Sequence, residues 1–342
     1  MFGAVADNIM AQHIPITGSI ELTYRCNVAC KFCYQSGERD DELSLQEMTA
    51  LLDDLAALKC LFLSFTGGEP LLHDDFWDIA EYAASKNFAL TLQTNGTLLT
   101  EQNVRQLKEL NFFDVHVSVL GGRAETHDRL MQSPGAFDKI MQAARMLREY
   151  GLRVFFKTTI VKDNINEMQE IDALAKKIEC EQMMAPIVAP KNNGDRSPCS
   201  FRLSDGEMKA FYEYAFRKIP AGMEEYESHA GLAMINCSSG RTCFCINPHG
   251  DVYPCIGLPR SVGNIRDRSF ADIWNDNEFL TMMRDMELKD LPSCASCELL
   301  EVCMRCKGLA YNEDGNLFNR STEACRIARI VKEVTDHEKT AV

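Results

Sequence analysis

The chain has 342 residues, of which 46% are hydrophobic, enough for one large domain or two medium ones. A formal net charge of -14 without a long basic run argues against nucleic-acid binding, which needs clustered lysine and arginine. We find no signal-like segment before Ile14 and no apolar run of about eighteen residues, so we expect a cytoplasmic protein that does not enter a membrane. Fifteen cysteines in a reducing compartment indicate metal ligands rather than disulfides.

Apolar β-rich runs alternate with segments of helical period over the first two thirds of the chain, which is typical of a parallel sheet with crossover helices. Ser44, with Glu47 three residues later, predicts the cap of the first such helix. The pattern predicts an α/β fold, a partial (β/α)6 TIM barrel over residues 14–220, whose functional groups lie at the C-terminal ends of the strands. The His127-Asp128-Arg129 run is expected to be solvated charge in a loop. The predicted strands are 16–24, 61–65, 88–93, 115–120, 152–161 and 182–188, and the predicted helices are 45–58, 76–86, 101–110, 137–150, 167–178 and 203–219.

The first predicted strand leads into a loop with three thiols, Cys26, Cys30 and Cys33. Structural zinc is almost always bound by four ligands, whereas a [4Fe–4S] cluster held by three cysteines leaves one iron free for another molecule. The C-x3-C-x2-C spacing, with Phe32 before the third cysteine, resembles the signature of the radical S-adenosylmethionine (SAM) superfamily. This resemblance implies that SAM binds the free iron and is reductively cleaved to a 5′-deoxyadenosyl radical. On the pattern alone, a zinc knuckle or a chance grouping of cysteines is the alternative.

The second predicted strand ends in two glycines, a glutamate and a proline. Two glycines allow the backbone to approach a ligand closely, and a carboxylate can accept hydrogen bonds from an ammonium group. At this place in the barrel the sequence resembles the family's motif for the SAM amino group, which implies that Glu69 lies near that ammonium. Later strand ends correspond to SAM contacts in relatives, although polar residues that satisfy only the local fold are the alternative there. The implied SAM contacts are Phe32, Tyr34, Gly67, Gly68, Glu69, Pro70, Asn95 and Ser118.

From Asn236 onward the chain is rich in cysteines with short turns between them, which indicates folding stabilised by metal. On spacing alone the four central cysteines could form a zinc site, but eight ligands can close two four-thiolate sites. The arrangement, with a hairpin signal through Gly250 to Cys255, resembles the SPASM extension of radical SAM enzymes. We therefore predict a SPASM domain over residues 221–330 and a polar, solvated helical tail over 331–342.

The ligand sets are implied by this resemblance. Only two residues separate Cys303 from Cys306, where the family has three, so the exchange of ligands between clusters is less secure at this point. Cys245 could replace Cys243. The implied ligands are Cys237, Cys243, Cys255 and Cys306 for the first auxiliary cluster and Cys294, Cys297, Cys303 and Cys325 for the second, which gives three [4Fe–4S] clusters in all. The remaining cysteines, expected to be buried apolar residues, are Cys60, Cys180 and Cys199.

The resemblance also implies a reaction, in which a hydrogen atom is abstracted from an unactivated C–H bond in a site that excludes water. Two auxiliary clusters suggest that a second electron leaves the substrate radical or that a substrate group is held, and we expect a net oxidation. Our first hypothesis is a maturase of ribosomally made peptides, and a small-molecule enzyme such as a haem-pathway decarboxylase is the alternative. A sulfatase-maturase activity is disfavoured, because Ile256 stands where those enzymes have an acidic base. A non-catalytic metal scaffold would leave both SAM-type motifs without a role.

The expected partners follow from the first hypothesis. The substrate would be a precursor peptide, and only a short stretch precedes Cys26, so we expect leader recognition by a separate protein or by the barrel itself. A flavodoxin- or ferredoxin-type electron donor is implied. The general base and the bond formed stay unassigned, with Tyr34, Tyr253 and Asp251 as equal candidates for the base.

Overall fold

The computed structural model describes residues 2–36, 41–218 and 237–340. Six strands alternate with helices in the first two thirds of the chain, each pairing in parallel with its neighbour, in the order β6-β5-β4-β3-β2-β1. The sheet does not close on itself, which confirms the predicted partial barrel. These strands are β1 (Thr17–Thr23), β2 (Phe62–Gly67), β3 (Ala89–Thr94), β4 (Asp114–Ser118), β5 (Val154–Thr159) and β6 (Glu181–Ala185).

Three strands of the cysteine-rich region continue the same sheet beyond β1: β7 (Cys243–Ile246), β8 (Asp251–Tyr253) and β9 (Gly263–Asn264). β7 pairs in parallel with β1, and β8 and β9 follow as antiparallel neighbours. Gly250 turns the β7–β8 hairpin at a φ of 85°, a conformation that glycine adopts without strain, so the predicted hairpin is confirmed. The predicted boundary between residues 220 and 221 lies outside the described residues, and the regions on either side of it share one sheet.

Helices pack on the apolar face of the sheet, where Ile20, Phe65 and Phe156 are fully buried. The predicted capping box is confirmed, because Ser44 accepts a hydrogen bond from the Glu47 backbone and the Glu47 side chain accepts one from the Ser44 backbone. The helices are α1 (Phe2–Ala11), α2 (Leu45–Ala57), α3 (Phe76–Ser85), α4 (Glu101–Glu109), α5 (Ala124–Met131), α6 (Ala136–Glu149), α7 (Met168–Ile178), α8 (Asp205–Phe216), α9 (Phe270–Asn275), α10 (Glu278–Asp285), α11 (Pro292–Ala295), α12 (Lys307–Asp314) and α13 (Thr322–Thr340). Within the described ranges, no helix has the length and hydrophobicity needed to cross a membrane.

Two local expectations are wrong. The run from His127 to Arg129 lies in α5 rather than in a loop, and His127 is fully buried together with Leu130. The charged residues Asp128 and Arg129 suggest a loop, but they lie on a helix whose opposite face packs into the core. β6 ends at Ala185 rather than at residue 188, because Pro186 has no backbone N–H with which to continue the ladder.

The C-terminal segment is a packed helix rather than the expected solvated tail. α13 begins at Thr322, and Val331 and Val334 are buried. Val331 belongs to the same apolar cluster as Met208 and Phe211 of α8. The helical spacing of a few apolar residues therefore decides the burial of this segment more than its average polarity does.

Candidate active site

A cleft of about 820 Å³ opens at the C-terminal ends of the strands. Its walls are formed by the cysteine loop after β1, the ends of β2 to β5, the segment after β6 and the loop that follows Cys255. Two residues of the predicted SAM set, Glu69 and Pro70, are buried behind this wall. The predicted residues that line the cleft are Cys26, Cys30, Cys33, Phe32, Tyr34, Gly67, Gly68, Asn95 and Ser118.

The cysteine loop rests on the C-terminal end of α5. Ala29 N donates a hydrogen bond to Met131 O at 3.2 Å, and Lys31 N donates one to Leu130 O at 3.0 Å. Leu130 and Met131 are fully buried, so these two carbonyl oxygens belong to a rigid part of the core. The helix that the sequence did not predict is therefore the support of the loop that carries the three thiols.

Asn95 connects the end of β3 to the same loop. Its Nδ2 donates to Asn27 Oδ1 at 2.8 Å and lies 3.8 Å from Cys26 Sγ. An N–H group beside a thiolate stabilises its negative charge and orients a metal ligand. Asn95 thus positions Cys26 as well as lining the cleft, and its predicted contact with SAM stays a prediction.

Glu69 is the most constrained residue of the predicted SAM set. Its carboxylate is 0% exposed and accepts hydrogen bonds from Thr94 Oγ1 at 2.7 Å, Asn95 N at 2.8 Å and Leu71 N at 3.4 Å. Burial raises the pKa of Glu69 to about 7, although these hydrogen bonds act in the opposite direction. The carboxylate holds the end of β3 in place, and its contact with an ammonium group stays a prediction.

The two glycines before Glu69 allow a close backbone approach, but the approach is to the chain that leads into the cysteine loop. A Cβ atom on Gly68 would lie 2.2 Å from Arg25 O, and one on Gly67 would lie 2.3 Å from Thr23 O. Gly68 N donates to Thr23 O at 2.7 Å, and Glu69 N donates to Arg25 O at 2.9 Å. The glycines therefore have a structural role, which is to position the chain that leads to Cys26. Their approach to a ligand stays a prediction.

The three thiols fit a [4Fe–4S] cluster by the chemistry of the donor set. Cys26, Cys30 and Cys33 all line the cleft, but within the described ranges no three cysteine, histidine or carboxylate side chains are placed to hold a single metal ion such as zinc. Burial, and then repulsion from Cys33 and Cys26, raise the pKa of Cys30 to about 12, so the set loses its protons when a metal cation binds. A cubane attaches each thiolate to a different iron, so its ligands need not lie within reach of one ion.

The thiols implied for the first auxiliary cluster are electrostatic neighbours. Burial raises the pKa of Cys255 to about 12, and Cys243 and Cys306 add repulsion in the same direction. Burial likewise raises the pKa of Cys243 to about 11, with repulsion from Cys237. Cys243 therefore lies near Cys237 and Cys255, and Cys255 also lies near Cys306, which directly precedes α12. Their role as ligands stays a prediction.

The thiols implied for the second auxiliary cluster form a separate group. Burial raises the pKa of Cys303 to about 11, and Cys325, Cys294 and Cys297 add repulsion. Cys325 also has a raised pKa, chiefly through burial and then through Cys294. The short spacing between Cys303 and Cys306 does not prevent the two residues from lying in different groups, which is the division that the resemblance implies.

Each thiol group has a buried cation beside it, which sequence reasoning missed. Lys307 is 1% exposed, and burial lowers its pKa while Cys237 and Cys255 raise it. Arg305 is 4% exposed, and burial lowers its pKa while four thiols, including Cys303 and Cys325, raise it. A thiolate-bound cluster is an anion, so buried cations offset the cost of its burial. The two residues share the same short segment of sequence, yet nothing in their spacing indicates this role.

Cys245 is a neighbour of the first group, because Cys255 and Cys243 add repulsion to the rise in its pKa that burial causes. It faces a second cavity of about 230 Å³, beside Glu21 of β1 and Tyr253 of β8. Glu21 is 2% exposed and accepts hydrogen bonds from Tyr34 Oη at 2.7 Å and Tyr24 Oη at 3.1 Å. Burial raises the pKa of Glu21. Among the candidate bases, Tyr34 is thus engaged with Glu21 and lines the main cleft.

The other candidate bases line only the smaller cavity. Asp251 accepts hydrogen bonds from Asn247 Nδ2 and Asn264 Nδ2, both at 3.0 Å, and Asn247 Nδ2 also lies 3.2 Å from Tyr253 Oη. Of the cysteines expected to be apolar, Cys60 is buried, whereas Cys180 and Cys199 are only partly buried.

The fold and the cleft define an enzyme class. Residues 20–178 match the Radical SAM superfamily, and residues 237–298 match SPASM, described as an iron-sulfur cluster-binding domain. The chain therefore belongs to the radical SAM superfamily, whose members bind SAM and iron–sulfur clusters. The matched SPASM segment ends before Cys303, so it contains only part of the second auxiliary set.

Named relatives include proteins with different substrates. The AdoMet-dependent heme synthase of Methanosarcina barkeri is 31% identical over 323 residues, covering 86% of this chain and 92% of that protein. The mycofactocin maturase MftC of Mycolicibacterium smegmatis is 28% identical over 307 residues, covering 84% of this chain and 77% of that protein. The crystal structure of Streptococcus suis SuiB bound to precursor peptide SuiA has a TM-score of 0.74 at 17% identity, covering 94% of this chain and 80% of that one, and shows a common fold.

Proposed function

We propose that this radical SAM enzyme oxidatively modifies a residue of a ribosomally made peptide, using one SAM-cleaving cluster and two auxiliary [4Fe–4S] clusters. When bound, the cluster at Cys26, Cys30 and Cys33 supplies the electron that cleaves SAM to a radical able to abstract hydrogen. An electron donor of the flavodoxin or ferredoxin type would serve this cluster. A separate leader-binding protein or the barrel itself would present the peptide.

One observation carries the proposal. The main cleft is continuous from the Cys26 loop to Ile256 and Gly257, which directly follow Cys255 of the first auxiliary set. A substrate in this cleft lies between the group that generates the radical and a group that can accept an electron. The removal of one hydrogen atom and then one further electron amounts to a two-electron oxidation of the substrate. Ile256 makes this wall apolar, so the cleft lacks the acidic base of a sulfatase maturase at that point.

A peptide fits the open edge of the sheet. Among the described strands, β6 pairs only with β5, and the segment after it, including Ile187 and Val188, lines the cleft. Ile187 is 44% exposed, which is unusual for an isoleucine beside a core. An extended peptide that adds to β6 by backbone hydrogen bonds would run toward the cleft. The similarity to MftC, named as a maturase, agrees with this substrate class.

A tetrapyrrole is the second candidate substrate. The relative with 31% identity is named a heme synthase, and this chain covers 92% of its length. A planar macrocycle with carboxylate arms would occupy a cleft of about 820 Å³ without the help of an edge strand. The reaction would again be oxidative, and the same thiols would hold the clusters.

The test uses the full chain, reconstituted anaerobically with iron and sulfide. We expect dithionite to drive the formation of 5′-deoxyadenosine from SAM, and co-expression with a short open reading frame beside the gene to yield a peptide lighter by two hydrogens or by a defined fragment. A variant with Cys26, Cys30 and Cys33 all changed to alanine is the control, and it should leave the peptide mass unchanged.

The two substrate classes give different results. If the peptide keeps its mass while iron coproporphyrin III loses carboxyl groups, the peptide proposal is wrong and the second candidate stands. If the intact enzyme forms no 5′-deoxyadenosine in either assay, while the triple variant has the same iron content, the assignment of the three thiols is wrong.

A further inference from the structure

The second cavity, of about 230 Å³, carries negative charge. Two carboxylates line it, Glu21 of β1 and Asp251 of β8, while none of the described residues that line it is lysine or arginine. Neither carboxylate forms an ion pair within the described part of the chain. Arg266, whose charge acts on Asp251, is bound to Glu47 at 2.6 Å. The cavity therefore lacks a cation of its own among the residues that the structure describes.

The hydrogen-bond donors around these carboxylates are already in use. Three side-chain donors reach Glu21, among them Gln35 Nε2 at 3.3 Å. Two asparagine amides reach Asp251, one at each oxygen. A carboxylate has about four acceptor positions, so about one stays open on Glu21 and about two on Asp251. The open positions of this cavity are acceptors.

His249 adds a further acceptor to the second cavity. It lines the cavity and is only 3% exposed. Its Nδ1 faces Asp41 Oδ1 at 3.0 Å, so we assign the ring proton to Nδ1, because a carboxylate can only accept. Nε2 then carries a lone pair, and it has no hydrogen-bond partner within the described ranges. A buried polar atom left in this state is costly, and a ligand that donates to it removes the cost.

A ligand with positive charge and several donors meets all of these requirements. It offsets the cost of burying two carboxylates, and charge-assisted hydrogen bonds are the stronger kind. A single metal ion does not suit the cavity, because no three cysteine, histidine or carboxylate side chains of the described residues are placed to hold one. An ammonium or guanidinium group on an aliphatic stem suits it better. The cavity has several times the volume of one water molecule, which is roughly 30 Å³.

The second cavity adjoins the main cleft, because Tyr24, Asn192 and Ile256 line both. A peptide bound in the main cleft can therefore extend a neighbouring side chain into the second cavity. We propose that the second cavity is a subsite for a lysine or arginine side chain of the peptide substrate. The inference rests on the proposed function and narrows it to a peptide with a basic residue near the modified one. The carboxylate arms of a tetrapyrrole would be repelled from this subsite.

The experiment measures binding of small probes to the reconstituted full chain by equilibrium dialysis. One pair is the Nα-acetyl methylamide of lysine and that of norleucine, in which a methyl group replaces the ammonium group. The other pair is the same derivative of arginine and of citrulline, which lacks the charge. Asp251→Asn and Glu21→Gln each remove one charge from the cavity. Asp267→Asn is the matched control, because Asp267 is exposed and lines neither cavity.

We expect wild type to bind the basic probe of at least one pair about 10- to 100-fold more tightly than its neutral counterpart, as for hydrogen bonds to charged groups. A preference in the lysine pair identifies an ammonium ligand, and one in the arginine pair identifies a guanidinium. Asp251→Asn and Glu21→Gln should each reduce the preference by about 10-fold, and Asp267→Asn should retain it. The two variants are made separately, so a folding defect in one leaves the other as the test.

Equal affinity of wild type for the two members of each pair would overturn the proposal, and so would a preference that both cavity variants retain. These measurements need neither SAM cleavage nor turnover. If the preference depends on the two carboxylates but the co-expressed peptide keeps its mass, the proposed function fails and the cation site stands. If the peptide is modified and no preference is found, the subsite alone is wrong.

Discussion

The close approach of Gly68 to the cysteine loop leads to a sharp prediction. A Cβ atom at this position would lie 2.2 Å from Arg25 O and 2.7 Å from Tyr24 O. Both oxygens belong to the backbone, so Gly68→Ala must displace the peptide that precedes Cys26 by about 1 Å to restore ordinary contact. Overpacking of this kind costs about 1–3 kcal/mol of stability. A displacement of about 1 Å at a catalytic group can reduce a rate by about 100-fold, so we expect a larger loss in SAM cleavage than in folding.

The control is Gly206→Ala, because nothing lies within 4 Å of a Cβ atom at that position in the first turn of α8. It should leave SAM cleavage unchanged and be neutral or slightly stabilising, since alanine favours a helix over glycine by up to about 1 kcal/mol. The measurements are the rate of 5′-deoxyadenosine formation, the iron content and the melting temperature. If Gly68→Ala cleaves SAM at the rate of Gly206→Ala, the backbone contact does not position the cysteine loop.

Three further predictions concern charge and metal. The pKa of Glu69 in the folded protein, about 7, lies above its ordinary value of 4.5, so its protonated form favours folding and stability should fall as the pH rises through about 7. Glu69→Gln should flatten the fall in melting temperature between the two pKa values, 4.5 and about 7, and an unchanged slope there would contradict the pKa shift. Lys307→Met removes a buried cation beside Cys237 and Cys255, so the reduction potential of one auxiliary cluster should fall by an amount on the order of 50 mV. A redox titration followed by electron paramagnetic resonance measures this shift, and an unmoved potential would mean that the charge of Lys307 is screened from the cluster. Replacing Cys26, Cys30 and Cys33 together by alanine should reduce the iron content from about twelve to about eight atoms per chain, and a variant that keeps about twelve would exclude these thiols as ligands.

The barrel could be predicted from sequence because its strands and helices differ in period. The apolar positions of β2 to β5 alternate, and each helix begins after a clear signal such as Ser44. Two features escaped this reading. α5 carries His127 on its buried face, which a count of polar residues reads as surface. β7 is only four residues long, and its pairing with β1 joins segments more than two hundred residues apart, which no local pattern indicates.

The sequence indicates those parts of the site whose residues recur at characteristic intervals. It does not indicate the parts that only the fold brings together. The thiols could be singled out because they recur at short intervals, and the electrostatic neighbours of Cys255 are not those of Cys303, while the role of these thiols as ligands stays a prediction. The support of these thiols is distributed over the fold. Met131 holds the cysteine loop through a backbone oxygen, Asn95 through an amide and Gly68 through the lack of a side chain.

The side chains of β5 also show what a sequence pattern can and cannot indicate. In β5, Val154, Phe156 and Thr158 point toward the helices, so Phe155, Lys157 and Thr159 must point into the barrel. The alternation thus indicates that Lys157 faces the interior of the barrel. It cannot show that the neighbouring carboxylate, Asp114, is already engaged by Thr91 and His116. Whether a charged residue inside the barrel already has a partner is a property of the tertiary contacts, so no pattern along the chain indicates it.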